Sequence, residues 1–152
     1  MEEIAYGKPK DIGSWMELVK SVSWNFPGLE TEEMIEEHKE TVLHFMSSEQ
    51  AMCMKDEKGN VIGVILFSRE HNMICFLAVS PQSRRCGIAS KLLEKALAEL
   101  NSKREISVST FRENDVKGIA PRVLYKKFGF VEDELIEEFG YPNQKFILHP
   151  SE

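Results

Sequence analysis

Apolar positions in the second half of the chain change period at one point. Met73-Ile74-Cys75-Phe76-Leu77-Ala78-Val79 is an unbroken bulky run, too short for a helix and suited to a buried strand. Beyond it, Ile88, Ala89, Leu92, Leu93, Ala96, Leu97 and Leu100 recur at three- and four-residue spacing, the signature of one helix face. The same reading orders the rest of the chain. Ile4-Ala5-Tyr6 predicts a short strand ended by Gly7 and Pro9. Trp15, Leu18, Val19 and Val22 form one face of a first helix, with Asp11 or Ser14 as its cap. Ser23-Trp24-Asn25-Phe26-Pro27-Gly28 reads as an aromatic loop. Met34, Ile35, His38, Val42, Phe45 and Met46 line a second helix whose glutamate-rich first turn suits the helix dipole.

Residues 51–54 and 61–67 predict two strands joined by the turn Asp56-Glu57-Lys58-Gly59-Asn60. Ile106-Ser107-Val108-Ser109-Thr110 alternates as a strand. A polar connection over residues 111–121 precedes a helix from about Pro121 to Phe128, and residues 130–131 and 145–148 supply the last strands. Strand, two helices, three strands, helix, strand, helix, two strands is the order of a mixed α/β sheet with helices on both faces.

Composition narrows the function. A length of 152 residues predicts one domain, residues 1–152, with a single sizeable core. The net charge of −6 argues against a nucleic-acid partner, which would call for a basic face, and is compatible with a cationic substrate. Three cysteines without a CxxC pair predict reduced thiols and a cytoplasmic location. No apolar run reaches membrane-span length and no signal peptide is seen at Met1-Glu2-Glu3, so no membrane partner is expected. His38, His44 and His149 have no metal-like spacing with carboxylates or cysteines, and no metal is expected.

The loop between the buried strand and the long helix carries the chemistry. Arg84, Arg85 and Gly87 precede a helix whose first turn presents unpaired N–H groups and the positive end of its dipole. That is an anion site, where a side chain at Gly87 would hold a phosphate off the amides.

Arg84-Arg85-Cys86-Gly87-Ile88-Ala89 resembles the (Gln/Arg)-x-x-Gly-x-(Gly/Ala) signature of the GCN5-related N-acetyltransferases, and Leu77-Ala78-Val79-Ser80-Pro81 resembles the strand before it. Leu124-Tyr125-Lys126-Lys127-Phe128-Gly129-Phe130 is similar to that family's Leu-Tyr-x-x-x-Gly-Phe motif. The resemblance implies the acyl-CoA N-acyltransferase fold, a mostly antiparallel sheet of six to seven strands. It also implies a splay between the fourth and fifth strands that admits the pantetheine arm of acetyl-CoA, the co-substrate.

On that resemblance the cofactor-binding residues are Leu77, Ala78 and Val79, whose backbone would pair with pantetheine, and Arg84, Arg85, Cys86, Gly87, Ile88, Ala89 and Ser90 around the pyrophosphate. Lys91 is a further cation near the phosphates. The expected reaction is acetyl transfer to a primary amine, on a small molecule or a peptide amino terminus, by direct attack in a ternary complex. Tyr125 would protonate the thiolate and a backbone N–H near Val79 would stabilise the oxyanion.

Two positions depart from the family pattern. Met73 stands where relatives often carry a glutamate base, which leaves Glu70, His71, Glu32, Glu33, Glu36 and Glu37 as candidates. Gly118 stands where many carry an asparagine, with Asn114 four residues earlier. Trp24, Asn25 and Phe26 either border the acceptor pocket or plug the core. The acidic residues Glu132, Asp133, Glu134, Glu137 and Glu138 either attract a cation or protect a sheet edge. The missing strand-four glutamate motivates an alternative, a non-catalytic acyl-CoA binding or sensing domain; an acidic protein-interaction module is a second. Homodimers through the C-terminal strands are frequent in such folds.

Overall fold

A computed structural model describes residues 3–84 and 87–150. Seven strands form one sheet: β1 (Ile4–Tyr6), β2 (Ala51–Lys55), β3 (Val61–Ser68), β4 (Met73–Val79), β5 (Ile106–Phe111), β6 (Val131–Glu138) and β7 (Tyr141–Leu148). Their spatial order is β1-β2-β3-β4-β5-β7-β6. Every neighbouring pair is antiparallel except β4 and β5, which run parallel. Four helices join them: α1 (Ile12–Val22), α2 (Glu32–Ser47), α3 (Ile88–Ala98) and α4 (Ile119–Lys127). This is the mixed, mostly antiparallel α/β architecture expected.

The sheet separates two cores. The face bearing α1 and α2 buries Trp15, Leu18, Val19 and Val22, the predicted stripe of α1, against Val64 and Leu66. The opposite face buries Ile88, Leu92, Leu93 and Ala96 of α3 against Ile65, Phe67 and Ile74. Because β3 lies between both layers, all eight of its residues are buried. Its apolar run is therefore continuous rather than alternating. Gly63 interrupts that run for a steric reason. A Cβ there would come within 2.6 Å of Ile88 Cγ2 and 2.9 Å of Leu92 Cδ1, so α3 lies directly on the strand.

The last two strands are longer than the sequence predicts. β6 takes in the whole acidic run and turns through Phe139 and Gly140 into β7. As an edge strand it is exposed along most of its length, so burial imposes no apolar alternation that a pattern search could find. α4 also begins earlier than expected, at Ile119, with Pro121 tolerated inside the first turn.

Candidate active site

β4 and β5 are paired only at Met73 and Ser107 and separate beyond that point. A side-chain clamp closes this end. Asn72, almost wholly buried, donates through Nδ2 to Asn101 O (3.0 Å) and Glu105 O (2.9 Å), and accepts from Asn101 N (2.8 Å). The turn before β4 is thereby tied to the loop before β5, and the strands part on the far side of the knot. β4 also carries a bulge. Leu66 opposes Phe76 while Phe67 opposes Ile74, which leaves Cys75 as the extra residue. The bulge switches the faces of β4: Ile74 belongs to the α3 core, whereas Phe76 and Ala78 pack on the α1–α2 side.

The gap is part of a cavity of about 1030 Å³, at the upper end of the range for small-molecule sites and roomy enough for two substrates. At one end lie Arg84 and the start of α3. Gly87 caps that helix with φ +72°, a left-handed conformation that favours glycine. The first helical bond runs from Lys91 N to Gly87 O, so the amides of Ile88, Ala89 and Ser90 precede the ladder. Ile88 itself is buried, so what it offers a ligand is its backbone. The middle of the cavity is walled by Leu77, Ala78 and Val79 on β4 and by Val108, Ser109 and Thr110 on β5. Arg85 and Cys86 lie outside the described residues; each of the other predicted cofactor residues borders this one cavity.

Tyr125 borders it too. Its ring packs edge-on against Phe130 (centroids 5.7 Å apart) and tilted on Phe146 (6.2 Å). Burial raises its hydroxyl above the ordinary tyrosine range, so the phenol stays protonated and can only donate or accept a hydrogen bond. Cys75 opens into the same space. Desolvation and the charge of Glu138 push the thiol up to about 11, which disfavours the thiolate near neutral pH.

The other end of the cavity differs from what the sequence suggested. Glu70, His71, Glu32, Glu33 and Glu36 do not border it, and neither does Asn114; of the predicted bases only Glu37 does. Position 118 cannot hold the family asparagine without rearrangement. A Cβ on Gly118 would lie 3.1 Å from both Arg112 O and Phe111 Cβ. Trp24 is 66% exposed and therefore not a core plug, while Phe26 stacks on Phe76 with centroids 4.7 Å apart.

Three polar groups stand at this end, Glu138, Asn143 and His38. The sequence offered Glu138 only within an acidic run that either attracts a cation or protects an edge, and it did not offer Asn143 or His38 as site residues. Glu138 ends β6 and accepts from Asn143 Nδ2 at 2.7 Å. Asn143 itself is buried, and its Oδ1 has no partner among the described residues. His38 packs on Phe76 (4.8 Å), with its Nε2 buried and unpartnered. Burial lowers its pKa from 6.5 to about 4, so the ring is neutral at physiological pH. A polar residue on the apolar face of α2 was a usable signal for His38. Nothing local separates Glu138 from its acidic neighbours.

Among the described residues no group of His, Cys, Asp and Glu could hold a metal ion, and no helix is long and apolar enough to cross a membrane.

No curated protein matches the chain. Solved structures do match over nearly its whole length. An acetyltransferase of the GNAT family from Bacillus cereus is 18% identical, covers 100% of this chain and 99% of its own, and superposes with a TM-score of 0.76. A GNAT-family acetyltransferase from Staphylococcus aureus is 19% identical over 97% of this chain and 98% of its own, with a TM-score of 0.76. The PaiA N-acetyltransferase from Thermoplasma acidophilum, solved in complex with coenzyme A, is 21% identical over 95% of this chain and 98% of its own, with a TM-score of 0.68. At these identities the likeness is one of fold. The family model for an acetyltransferase (GNAT) domain matches residues 27–141, which takes in the parted strands, the capped helix and Tyr125. The chain belongs to the GNAT acetyltransferase family.

Proposed function

We propose that the protein transfers the acetyl group of acetyl-CoA to a primary amine by direct attack in a ternary complex. The observation that carries this reading is the free edge of β4, which leads from the α3 N-terminus to Tyr125 inside one cavity. The pyrophosphate sits on the amides of Ile88, Ala89 and Ser90, where the dipole of α3 and the Arg84 side chain favour negative charge. The pantetheine amides pair with the unpaired edge of Leu77, Ala78 and Val79 as an added strand. That fixes the thioester at the end of the gap where Cys75, Tyr125 and Glu138 gather.

The amine nitrogen, once neutral, attacks the thioester carbonyl, and the oxygen takes up charge against a backbone N–H at the Cys75 end of β4, because Val79 lies at the phosphate end. Collapse breaks the carbon–sulfur bond. The Tyr125 phenol donates a hydrogen bond to the departing thiolate. A thiol has a pKa near ~8.5, well below that of this buried phenol, so complete loss of the phenol's proton would be uphill. The proton that ends on sulfur is therefore balanced by the second proton shed from the amine nitrogen. The first proton, lost before attack, needs an acceptor at the amine's end of the cavity. Direct attack needs no cysteine as acyl carrier, and the raised pKa of the Cys75 thiol disfavours it in that role.

Calorimetric titration with acetyl-CoA, followed by release of free CoA thiol across an amine panel, tests the reading. Binding with release on an amine is the expected result. Binding without release on any amine would favour a sensing domain, the reading that Met73 in place of a glutamate motivates. Failure to bind would overturn both.

A further inference from the structure

We propose that Glu138, aligned by Asn143, holds the acceptor's ammonium and takes its first proton, and that the acceptor is a primary amine on an apolar arm. This rests on the acyltransfer reading above and adds its missing half. The donor set is the first argument. The Asn143 carboxamide is oriented by Glu138, since reversing it would set an amide oxygen against the carboxylate. Both residues border the cavity, and Asn143 Oδ1 is buried without a partner among the described residues, so Asn143 serves to fix the carboxylate. An ammonium, with three N–H donors, is held by the second carboxylate oxygen of Glu138. The charge of Glu138 is felt by Cys75 at the β4 bulge, two residues before Leu77. The carboxylate therefore stands at the acceptor end of the gap and not among the phosphate-binding amides.

Phe139 supplies the second argument. It follows Glu138 with φ +52°, and Gly140 follows with φ +75°. Two consecutive positive φ values make a type I′ turn, whose first position favours Asn and is strained for a bulky side chain. The ring is 75% exposed, so no core packing explains it. It leans instead on Gly28, where a Cβ would lie 2.8 Å from ring atoms, and so spans from the β6–β7 turn to the loop before α2. In the same cavity, Phe26 and the neutral His38 both pack against the Phe76 ring. An aryl or alkyl arm fits that wall. A polyamine, amino acid or aminoglycoside would leave polar groups against it without partners.

The titratable and charged groups that share the cavity with Glu138 are Cys75 from β4, Glu37 and His38 from α2, Lys117 from the β5–α4 connection, Tyr125 from α4 and, at the far end, Arg84. Opposite Glu138 in the β6–β7 pair stands Tyr141, whose hydroxyl donates to Asp115 Oδ2. Arg112 joins them through its bonds to Asn143 O and Ile136 O, both 3.0 Å.

The test is thiol release by the full chain with 2-phenylethylamine and hexylamine against glycine and spermidine, in wild type, Glu138→Gln and Phe139→Asn. The two apolar amines should exceed glycine and spermidine by about 100-fold in kcat/KM. Glu138→Gln should lose about 100-fold at pH 7 and recover most of it near pH 9.5, where the amine sheds its own proton, with acetyl-CoA affinity unchanged. Phe139→Asn should raise the melting temperature while raising KM for 2-phenylethylamine about tenfold. Preference for glycine or spermidine, a Glu138→Gln variant with the wild-type rate and pH profile, or an unchanged KM in Phe139→Asn would each overturn the assignment. Acetyl-CoA binding is measured separately: its absence in wild type sinks the acyltransfer reading, whereas binding with the wrong amine preference sinks only this one.

Discussion

Replacing Asn72 should destabilise the fold strongly. Its side chain is buried, makes three hydrogen bonds of 2.8–3.0 Å, and sits on a backbone with φ +52°. Each bond contributes about 1 kcal/mol net. Alanine at a left-handed φ costs about 1 kcal/mol more. Asn72→Ala should therefore lose about 4 kcal/mol, a large part of the ~5–15 kcal/mol available to a domain. The melting temperature should fall by roughly 8–16 °C. Asn72→Gly accepts the φ without strain, so it should lose about 3 kcal/mol and isolate the hydrogen bonds. Urea unfolding followed by circular dichroism reads both variants. Because the clamp sets where β4 and β5 part, Asn72→Gly should also bind acetyl-CoA more weakly at 10 °C, where it is still folded. A loss below about 1.5 kcal/mol in the alanine variant would refute the clamp, since three buried bonds cannot vanish so cheaply.

Tyr125→Phe keeps the ring packing and removes only the donor, so kcat should fall about 100-fold with little change in acetyl-CoA affinity. Equal losses in both would count against a role in leaving-group stabilisation. Gly63→Ala drives a methyl into Ile88 and Leu92 and should cost about 1–3 kcal/mol while displacing the start of α3. Weaker acetyl-CoA binding by calorimetry is expected, and an unaffected fold and affinity would contradict the contact. His38 has a folded pKa of about 4, below its ordinary 6.5, so the unfolded chain binds the extra proton between those values. Its contribution to stability is present above pH 6.5 and is lost as pH falls toward 4. Wild type minus His38→Phe, compared by urea melts at pH 7 and pH 4.5, should show that loss; parallel curves would refute it.

Much of this protein could be read from local sequence because local physics decides it. The α1 stripe Trp15, Leu18, Val19 and Val22 follows from helical period alone, and all four are buried as that period requires. The loop proposed to hold the cofactor was legible for a similar reason. The proposed role calls for a glycine at a left-handed φ and a helix start directly after it, both written within a few residues. Tyr125, which borders the cavity, lies in a motif whose glycine and aromatics are a few residues away.

The acceptor end obeys no such rule. His38, Cys75, Glu138 and Asn143 come from α2, β4, β6 and β7, up to 105 residues apart in the chain. They meet because β7 inserts between β5 and β6 and because β4 and β5 part beyond Asn72. The family resemblance points to a carboxylate near the start of β4, whereas Glu138 comes to the cavity from the edge strand β6. Strand order and splay are long-range properties of pairing and packing, and one more glutamate in an acidic edge strand carries no mark of them. Period and turn chemistry therefore determined the elements and the cofactor loop. Only the sheet topology decided which distant side chains would share the second half of the cavity.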